Sequence, residues 1–255
     1  MVNLTRLDCV IGAAAGMRQG VITAAHHAAH RRAFDRYLAD QPLMRNVLAD
    51  LAVESEAATV LMMRLAGATD RSARGDAVKT AFKRIALAVG KYWVCKRWPG
   101  HAAEALECLG GNGYVEESGM PRLFRESPLN SIWEGSGNVA ALDVLRALAG
   151  QPEVRAAFEA EVGMAIGVDS RLDAAVHQVQ VALDDPADLE VRARRVVEQL
   201  ALVLQGALLV RRGHPAVADA FCASRLGGDR GHAYGTLPAG VDFAAIIDRA
   251  TPKLG

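Results

Sequence analysis

The chain has 255 residues, of which 51% are hydrophobic and 23% charged, a composition typical of one or two globular domains. Its 29 basic and 29 acidic residues cancel, which excludes a strongly basic nucleic-acid binder as a description of the whole chain. The four cysteines form no C-x-x-C pair, so neither a zinc ribbon nor a thioredoxin motif is indicated. Four cysteines in a chain of this length do not make a disulfide scaffold, and we expect a reducing, cytoplasmic location. No uncharged apolar stretch reaches the roughly 20 residues of a membrane span.

Helical periodicity, in which apolar residues recur every three to four positions, predominates in the first 150 residues. A run without proline predicts the first helix over 4–38. The second begins with a proline, which suits the first turn of a helix, and covers about 42–65. The third extends over about 74–109, where Pro99 is expected to kink or break it. A fourth helix follows Gly137.

The sequence Gly-Gln-Pro at 150–152 is a boundary signal. Beyond it, weaker amphipathic segments predict further helices, and strand signals are few. We therefore expect an all-α fold. The helices predicted in this part are 153–164, 170–183, 187–212, 215–226 and 241–250.

Three glycines, Gly110, Gly111 and Gly113, lie within four positions at the end of the third predicted helix. Glycine lets a backbone turn tightly and approach another chain or a ligand closely. The same pattern also suits an ordinary helix cap followed by a turn. The spacing alone leaves both interpretations open.

Glu134 stands between the apolar pair Ile132-Trp133 and the flexible segment 135–137. A carboxylate beside apolar side chains loses hydration, which suits a general base. The glycine-serine-glycine segment opens the fourth predicted helix, whose amino-terminal amides can hold an anion such as a phosphate. A capping turn with Glu134 in solvent fits the residues equally well.

Three motifs resemble, in this order, the C-terminal helical half of the flavin-dependent acyl-CoA dehydrogenase family: Arg31-Arg-Ala-Phe34, Gly110-Gly-Asn-Gly-Tyr114 and Ile132-Trp-Glu-Gly-Ser136. The resemblance implies a four-helix bundle over residues 1–150. It is closer to the alkylation-response, AidB-like branch, whose additional, smaller helical domain would account for 151–255. The segments similar to that branch are 41–45, 116–118, 121–123, 130–138 and 142–146.

The resemblance implies a catalytic role for Glu134. This residue matches the base that removes the α-proton of an acyl-CoA thioester while the β-hydrogen leaves as hydride to FAD. Some branches of the family place the base on the first helix, at a position that lines up with Thr5 here. Because threonine carries no carboxylate, Glu134 is the candidate base.

The resemblance also implies a set of FAD contacts. They comprise an arginine at the pyrophosphate, an aromatic side chain beside the cofactor, and two polar side chains after the base. A further segment with two glycines reaches FAD across a subunit interface, which implies a homo-oligomer, a dimer or a tetramer. The matching residues are Arg31, Phe34, Glu107, Gly110, Gly111, Ser136 and Asn138.

Four positions depart from the family pattern. Glu107 adds a negative charge near the expected pyrophosphate, which weakens binding if the side chain points toward it. Ala33 lacks a hydroxyl contact, and Asp35 replaces a common glycine. Trp133 is larger than the usual tyrosine and is expected to narrow the acyl pocket.

The chain begins at what would be the first helix of the family's C-terminal domain. The resemblance therefore predicts that the N-terminal helical domain and the middle β-domain belong to a separate chain or are missing from a truncated product. The expected activity is α,β-dehydrogenation of an acyl-CoA by such a split or truncated enzyme. Two alternatives are a DNA-associated damage-response flavoprotein of the AidB-like branch and a helical assembly module without catalysis.

Two other clusters have simpler interpretations. His26 and His30 lie one helical turn apart, but no third ligand accompanies them, so we expect an exposed or interfacial helix face and no metal. A group of arginines on the predicted helix 187–212 suits the phosphates of duplex DNA. Residues 151–255 carry 11 basic and 14 acidic groups, which favours a solvated face instead. The arginines are Arg192, Arg194, Arg195, Arg211 and Arg212.

Overall fold

The computed structural model describes residues 2–252. In this part the chain forms eleven α-helices and a single pair of two-residue strands, β1 (Arg32–Ala33) and β2 (Arg36–Tyr37), so the predicted all-α fold is confirmed. Within the same range, no helix has both the length and the apolar character that a membrane span requires. The helices are α1 (Val2–His30), α2 (Pro42–Ala73), α3 (Ala77–Glu107), α4 (Gly111–Tyr114), α5 (Met120–Glu126), α6 (Gly137–Gly150), α7 (Pro152–Gly163), α8 (Ser170–Asp184), α9 (Ala193–Arg212), α10 (Pro215–Phe221) and α11 (Phe243–Ala250).

The three longest helices run up, down and up, and α6 packs on α3 as the fourth member of the bundle. Cys95 of α3 donates its thiol to the carbonyl of Cys9 in α1 over 3.5 Å. Further along both helices, Gly20 lies against Ala105. Residue numbers therefore rise together on α1 and α3, which makes these two helices parallel and places α2 antiparallel between them.

The segment between α4 and α6 returns along α1. Asn130 donates its amide to the carbonyl of Cys9 at 3.2 Å, and Arg6 donates to the carbonyl of Glu134 at 3.3 Å. These contacts bring the turn at Glu134 beside the first turns of α1, where it is set against the amino-terminal half of the bundle.

The first helix is shorter than the sequence predicted. It ends at His30, and β1 and β2 form a hairpin inside the predicted range 4–38. The two turn residues, Phe34 and Asp35, have φ values of 53° and 63°. A two-residue hairpin turn with positive φ at both central residues matches the twist of the two strands, although glycine and asparagine adopt this conformation more easily.

Of the two outcomes expected at Pro99, the break is wrong, because α3 continues through it as one helix, and the kink stays a prediction. Proline removes one hydrogen bond of the helix backbone and crowds the preceding turn. Trp98 and Ala102 on either side are buried in the core. Packing of these neighbours between α1 and α2 offsets the local cost and keeps the helix continuous.

Residues 151–252, called here the C-terminal segment, pack onto α2, α3 and α6. Their buried side chains join those of the bundle in one hydrophobic cluster. The long helix α9 contributes most to this contact, since residues 200–209 are all buried. The two-domain division at residue 150 stays a prediction.

A buried ion network also joins the C-terminal segment to the bundle. Arg225 pairs with Asp50 and, at 3.2 Å, with Glu54. Arg97 donates to both carboxylate oxygens of Glu54 at 3.1 Å and to the hydroxyl of Tyr234 at 2.8 Å. Burial alone would raise the pKa of Glu54, but the two arginines outweigh it and hold this pKa at about 2.

Candidate active site

A groove of about 690 Å³ runs between α1 and the returning segment that follows α5. Two glycines of α1 let two neighbours, α3 and the returning segment, approach this helix closely. A Cβ at Gly16 would lie 2.1 Å from the Trp98 ring, and one at Gly12 would lie 3.0 Å from Nδ2 of Asn130. The groove, called here the Glu134 groove, is lined by Thr5, Asp8, Cys9, Gly12, Ala15, Gly16, Gln19, Trp98, Leu123, Glu126, Asn130, Trp133 and Glu134.

Two buried cations hold the turn that carries Glu134. Arg6 Nε donates to the Glu134 carbonyl at 3.3 Å, and Lys91 Nζ donates to the Gly135 carbonyl at 2.5 Å. Arg6 is 5% exposed and Lys91 is 1% exposed, so both groups face the protein interior and not solvent. Glu134 and Gly135 have φ values of 57° and 102°. Glycine adopts such values easily, but Glu134 carries a Cβ, so its backbone is strained and is maintained by the contacts around it.

The two cations were not found from the sequence. Lys91 lies in a helical stretch whose apolar neighbours predict a core face, and the structure buries it there. Burial lowers the pKa of Lys91, because an ammonium group loses hydration. The sequence feature that could have revealed them is a lysine and an arginine at positions of otherwise apolar helix faces.

Arg6 is itself fixed by Asp143 of α6. Its Nη1 contacts Asp143 Oδ2 at 2.5 Å, and Arg84 of α3 reaches Oδ1 of the same carboxylate at 2.9 Å. Burial would raise the pKa of Asp143, but the hydrogen bonds from Arg84 and Arg6 hold it below the usual value. Three helices are thereby tied together beneath the Glu134 turn.

Trp133 forms the rim of the groove and is 52% exposed. Its indole Nε1 donates to Asn130 Oδ1 at 3.1 Å, and Asn130 in turn donates to the Cys9 carbonyl. This chain of hydrogen bonds orients the ring from α1. The predicted narrowing of an acyl pocket by Trp133 stays a prediction.

Thr5 and Glu134 line the same groove, although 129 positions separate them. Both positions at which a base was considered therefore face one space. The groove also receives two carboxylates that the sequence did not single out, Asp8 and Glu126. Both are exposed on regular helices, whereas Glu134 stands on a strained and anchored turn.

Arg31 and Phe34 lie at the opposite end of α1, on the hairpin. Phe34 is 91% exposed and stands at the tip with φ 53°. The ring is therefore available for contact with another surface. At 1.5 Å per residue, about 39 Å of helix separates Arg31 from Thr5.

Glu107 ends α3 and Gly110 and Gly111 come directly after it, at the same end as the hairpin, since α1 and α3 are parallel. Gly110 has φ 57°, which confirms the predicted tight turn. Glu107 and Gly110 line a second cleft, of about 900 Å³, whose apolar wall includes Tyr114, 82% exposed, and Phe124, 41% exposed.

Ser136 and Asn138 are exposed at the start of α6, close to Glu134. Ser136 occupies the cap position, but its side chain makes no capping hydrogen bond. Lys96 and Arg194 crowd the same helix end: a Cβ at Gly137 would lie 2.8 Å from Lys96 Cε and 3.5 Å from Arg194 Nη2. Cations are unfavourable at a helix amino terminus, so this arrangement favours an added anion.

The predicted site residues thus form two sets. Glu134, Ser136 and Asn138 lie at the amino-terminal end of α1, and the others lie alongside its last turns or just after its carboxyl-terminal end. The structure does not bring the two sets together within one chain. The residues of the second set are Arg31, Phe34, Glu107, Gly110 and Gly111.

The histidine and arginine clusters have ordinary contacts. His30 Nδ1 donates to the His26 carbonyl at 2.8 Å, and residues 2–252 contain no group of three or more His, Cys, Asp or Glu side chains that could hold a metal. About 26 Å of helix, at 1.5 Å per residue, separates Arg194 from Arg211. Arg211 pairs with Glu161 at 3.4 Å, so the arginines of α9 do not form one patch.

The bundle matches a family of known proteins. A family model described as acyl-CoA dehydrogenase, C-terminal domain, matches residues 1–149. The chain belongs to the acyl-CoA dehydrogenase family. The predicted resemblance, including that to the AidB-like branch, is confirmed.

Individual relatives cover more of the chain than the family model does. The putative acyl-CoA dehydrogenase AidB of Escherichia coli (strain K12) is 43% identical over 222 residues, which are 87% of this chain and 40% of that protein. Acyl-CoA dehydrogenase family member 11 of Caenorhabditis elegans is 28% identical over 82% of this chain and 37% of its own length. The chain therefore spans about two fifths of the curated relatives that it matches.

Solved structures agree on the fold. The C. elegans ACDH-11 structure, in complex with C11-CoA, superimposes with a TM-score of 0.78 at 26% identity and covers 89% of this chain and 43% of that one. An acyl-CoA dehydrogenase of Bacillus anthracis complexed with FAD has a TM-score of 0.69 at 18% identity, over 99% of this chain and 52% of that one. The second likeness supports the fold alone.

Proposed function

We propose that this chain is the C-terminal part of a flavin-dependent acyl-CoA dehydrogenase-type oxidoreductase, and that the Glu134 groove is one wall of its acyl pocket. The turn of Glu134 carries the proposal, because Arg6 and Lys91 hold a carboxylate-bearing residue at positive φ beside a groove with an aromatic floor. The C11-CoA in the C. elegans relative supports an acyl-CoA substrate.

Glu134 is the proposed catalytic base. Its carboxylate accepts the proton from the α-carbon of the acyl thioester, and the electrons of that C–H bond form the new double bond. FAD, when bound, would supply the acceptor for the β-hydrogen, which leaves as a hydride. Arg6 and Lys91 contribute by keeping the carboxylate in one place, since a shift of about 1 Å in a reacting group costs on the order of 100-fold in rate.

Residues at both ends of α1 would hold FAD. At the start of α6, Ser136 and Asn138 supply polar side chains, and the first amides of the helix, with Lys96 and Arg194, suit a phosphate. The hairpin adds the guanidinium of Arg31 and the ring of Phe34, and the turn after α3 adds Glu107, Gly110 and Gly111. Membership of the acyl-CoA dehydrogenase family supports FAD as this cofactor.

The separation of Arg31 from the first turns of α1, about 39 Å at 1.5 Å per residue, favours a cofactor shared between two copies of the chain. We therefore propose a homo-oligomer, a dimer or a tetramer. The exposed ring of Phe34 and the cleft at Gly110 would then be covered by a neighbouring subunit.

The remaining walls of the acyl pocket are proposed to lie in protein outside residues 2–252, either in the same polypeptide or in a separate chain. We propose that residues 1–150 are the family's C-terminal helical bundle. Residues 151–255 would be the additional helical domain of the AidB-like branch, a division that the 43% identity to AidB over 87% of the chain supports.

The first test is a visible absorption spectrum of the 255-residue chain with added FAD, followed by size-exclusion chromatography. Flavin that co-elutes with an oligomer supports the proposed cofactor surface. A folded oligomer without flavin favours a helical assembly module, unless addition of the N-terminal and middle domains restores flavin binding.

The second test is Glu134→Gln in the flavin-loaded enzyme that contains this chain. We expect flavin reduction by acyl-CoA to fall by at least about 100-fold, the usual contribution of a general base. Asp8→Asn and Glu126→Gln alter the two other carboxylates of the groove and are expected to keep nearly the full rate. An unchanged rate for Glu134→Gln, or an equal loss in a control, would contradict the assignment of the base.

A further inference from the structure

A separate cavity lies in the C-terminal segment, between the end of α6 and helices α7, α8 and α9. It has a volume of about 320 Å³ and shares no lining residue with the Glu134 groove. Protein interiors are normally close-packed, because a void forfeits the dispersion contacts of its lining atoms. An apolar recess of this size, open to solvent at one side, suits an occupant with an apolar body. Its walls include Phe158, Val162, Val176, Leu183, Leu200 and Val203.

The volume limits the size of that occupant. An engineered apolar cavity of about 150 Å³ takes up benzene. A cavity of about 320 Å³ therefore suits a molecule with roughly twice as many heavy atoms as benzene. A helix of another protein, about 10–12 Å across with its side chains, is too wide for it.

Helix α8 is the wall that can admit such a molecule. Of its fifteen residues, Leu172 and Val179 alone are buried. A helix held by so few buried side chains opens at low cost compared with α9, in which residues 200–209 are all buried.

The polar residues at the mouth of the cavity indicate which polar group the bound molecule would carry there. Arg155 is already paired, with Glu159 at 2.8 Å and Asp184 at 2.7 Å. His177 and Gln180 of α8 also line the cavity and make no hydrogen bond to any other residue in 2–252. Imidazole and carboxamide groups each donate and accept hydrogen bonds, so they suit an uncharged polar group.

A charged head group fits the mouth less well. Asp173, which also reaches the cavity, accepts the amide of Gly167 at 3.1 Å and carries no cation in its contacts. Its carboxylate would repel the negative charge of a fatty acid, and the charge of Arg155 is already balanced by the carboxylates of Glu159 and Asp184.

We propose that this cavity binds a small amphiphile, with a hydrocarbon body of up to about a dozen carbon atoms and an uncharged head that hydrogen-bonds to His177 and Gln180. The site is independent of the proposed dehydrogenase chemistry, because Glu134 and its groove lie against α1.

The test uses the 255-residue chain with labelled methyl groups of isoleucine, leucine and valine. Titration with 1-octanol is expected to produce saturable NMR shifts at Val176, Leu200 and Val203, and none at Leu123 in the Glu134 groove. Octanoate, which has the same chain length and a negative head, is expected to bind at least about tenfold more weakly because the carboxylate of Asp173 at the mouth repels its charge. Absence of saturable shifts, shifts confined to Leu123, or equal binding of octanoate would overturn the proposal.

Two sets of variants locate the site. Val176→Phe places a ring in the cavity and is expected to weaken 1-octanol binding by roughly tenfold or more. Val181→Phe makes the same change on the exposed side of α8, where Val181 is 56% exposed, and is expected to leave binding unchanged.

If Val176→Phe does not fold, substitutions of exposed residues at the mouth of the cavity test the same proposal. His177→Ala combined with Gln180→Ala is expected to weaken 1-octanol binding several-fold, whereas Gln178→Ala, also exposed on α8, is not. Wild-type affinity in Val176→Phe, or in the double variant, would overturn the proposal.

Discussion

Backbone strain coincides with residues that the sequence motifs single out. In residues 2–252, four residues other than glycine have positive φ, and Phe34, Asp35 and Glu134 are three of them. This conformation costs on the order of 1–3 kcal/mol at each such residue. At Glu134 the strain is balanced by Arg6 and Lys91. The position of this side chain is therefore maintained at a cost in stability.

Lys91→Met tests the importance of that position. Methionine keeps much of the side-chain volume but removes the donor to the Gly135 carbonyl, so the Glu134 turn loosens. We expect turnover in the flavin-loaded enzyme to fall by about tenfold or more, because small displacements of a base are costly. The measurement is the rate of flavin reduction by acyl-CoA.

Lys83→Met is the matched control, since Lys83 is on the same helix and only half-buried. It is expected to keep the wild-type rate. Equal rates for Lys91→Met and the wild type would show that the anchored turn does not matter for the reaction.

At the scale of the elements, glycine decides how closely α1 and α3 approach. Gly16→Ala forces a Cβ to within 2.1 Å of the Trp98 ring, and overpacking of this kind costs about 1–3 kcal/mol. Gly67→Ala in α2 meets no atom within 4 Å and is expected to stabilise by about 0.5–1 kcal/mol through helix propensity. Chemical denaturation measures both, and a stabilising Gly16→Ala would show that the approach of the helices is looser than described.

At the scale of the whole molecule, buried charges hold the C-terminal segment on the bundle. Arg225→Met leaves Asp50 and Glu54 buried with fewer partners, and breaking such a pair costs about 3–5 kcal/mol. Arg249→Ala, which breaks a largely exposed pair with Glu56, is expected to cost at most about 1 kcal/mol. Equal effects of the two changes on the free energy of unfolding would contradict the anchoring role of Arg225.

The buried imidazole of His101 makes the stability of the whole molecule depend on pH. Burial lowers its pKa to about 4, against an ordinary value of about 6.5. Between these values the unfolded state takes up a proton that the folded state does not. Stability is therefore fully present above pH 6.5 and falls toward pH 4, by at most about 1.4 kcal/mol per pH unit.

His101→Gln removes this titration and retains a donor for the Leu51 carbonyl, which the ring contacts at 3.1 Å. We expect a flatter pH dependence of unfolding between pH 6.5 and 4.5, measured by denaturation at several pH values. Below about pH 4.5, protonation of Glu54 adds a further loss in both proteins, since its folded pKa is about 2. His26→Gln, on an exposed face of α1, should leave the slope unchanged; a slope that persists in His101→Gln would assign it to other groups.

Local patterns in the sequence predicted most of the helices and several turns. The four helices of the bundle follow from apolar residues at helical spacing, and the tight turn after α3 follows from Gly110. The hairpin at 32–37 was missed because its turn is made by Phe34 and Asp35 instead of glycine or asparagine. The continuity of α3 was missed because proline acts locally, whereas the packing that retains the helix comes from distant residues.

The sequence by itself determined the all-α fold, the family and the identity of Glu134 as the candidate base, since each depends on residue types at short spacing. Only the tertiary structure decided what holds Glu134 in place and which predicted residues share an end of the molecule. Lys91 and Gly135 are 44 positions apart, and Arg6 and Glu134 are 128 apart. Contacts over such separations arise from the way helices pack, a property of the whole chain that no local pattern carries.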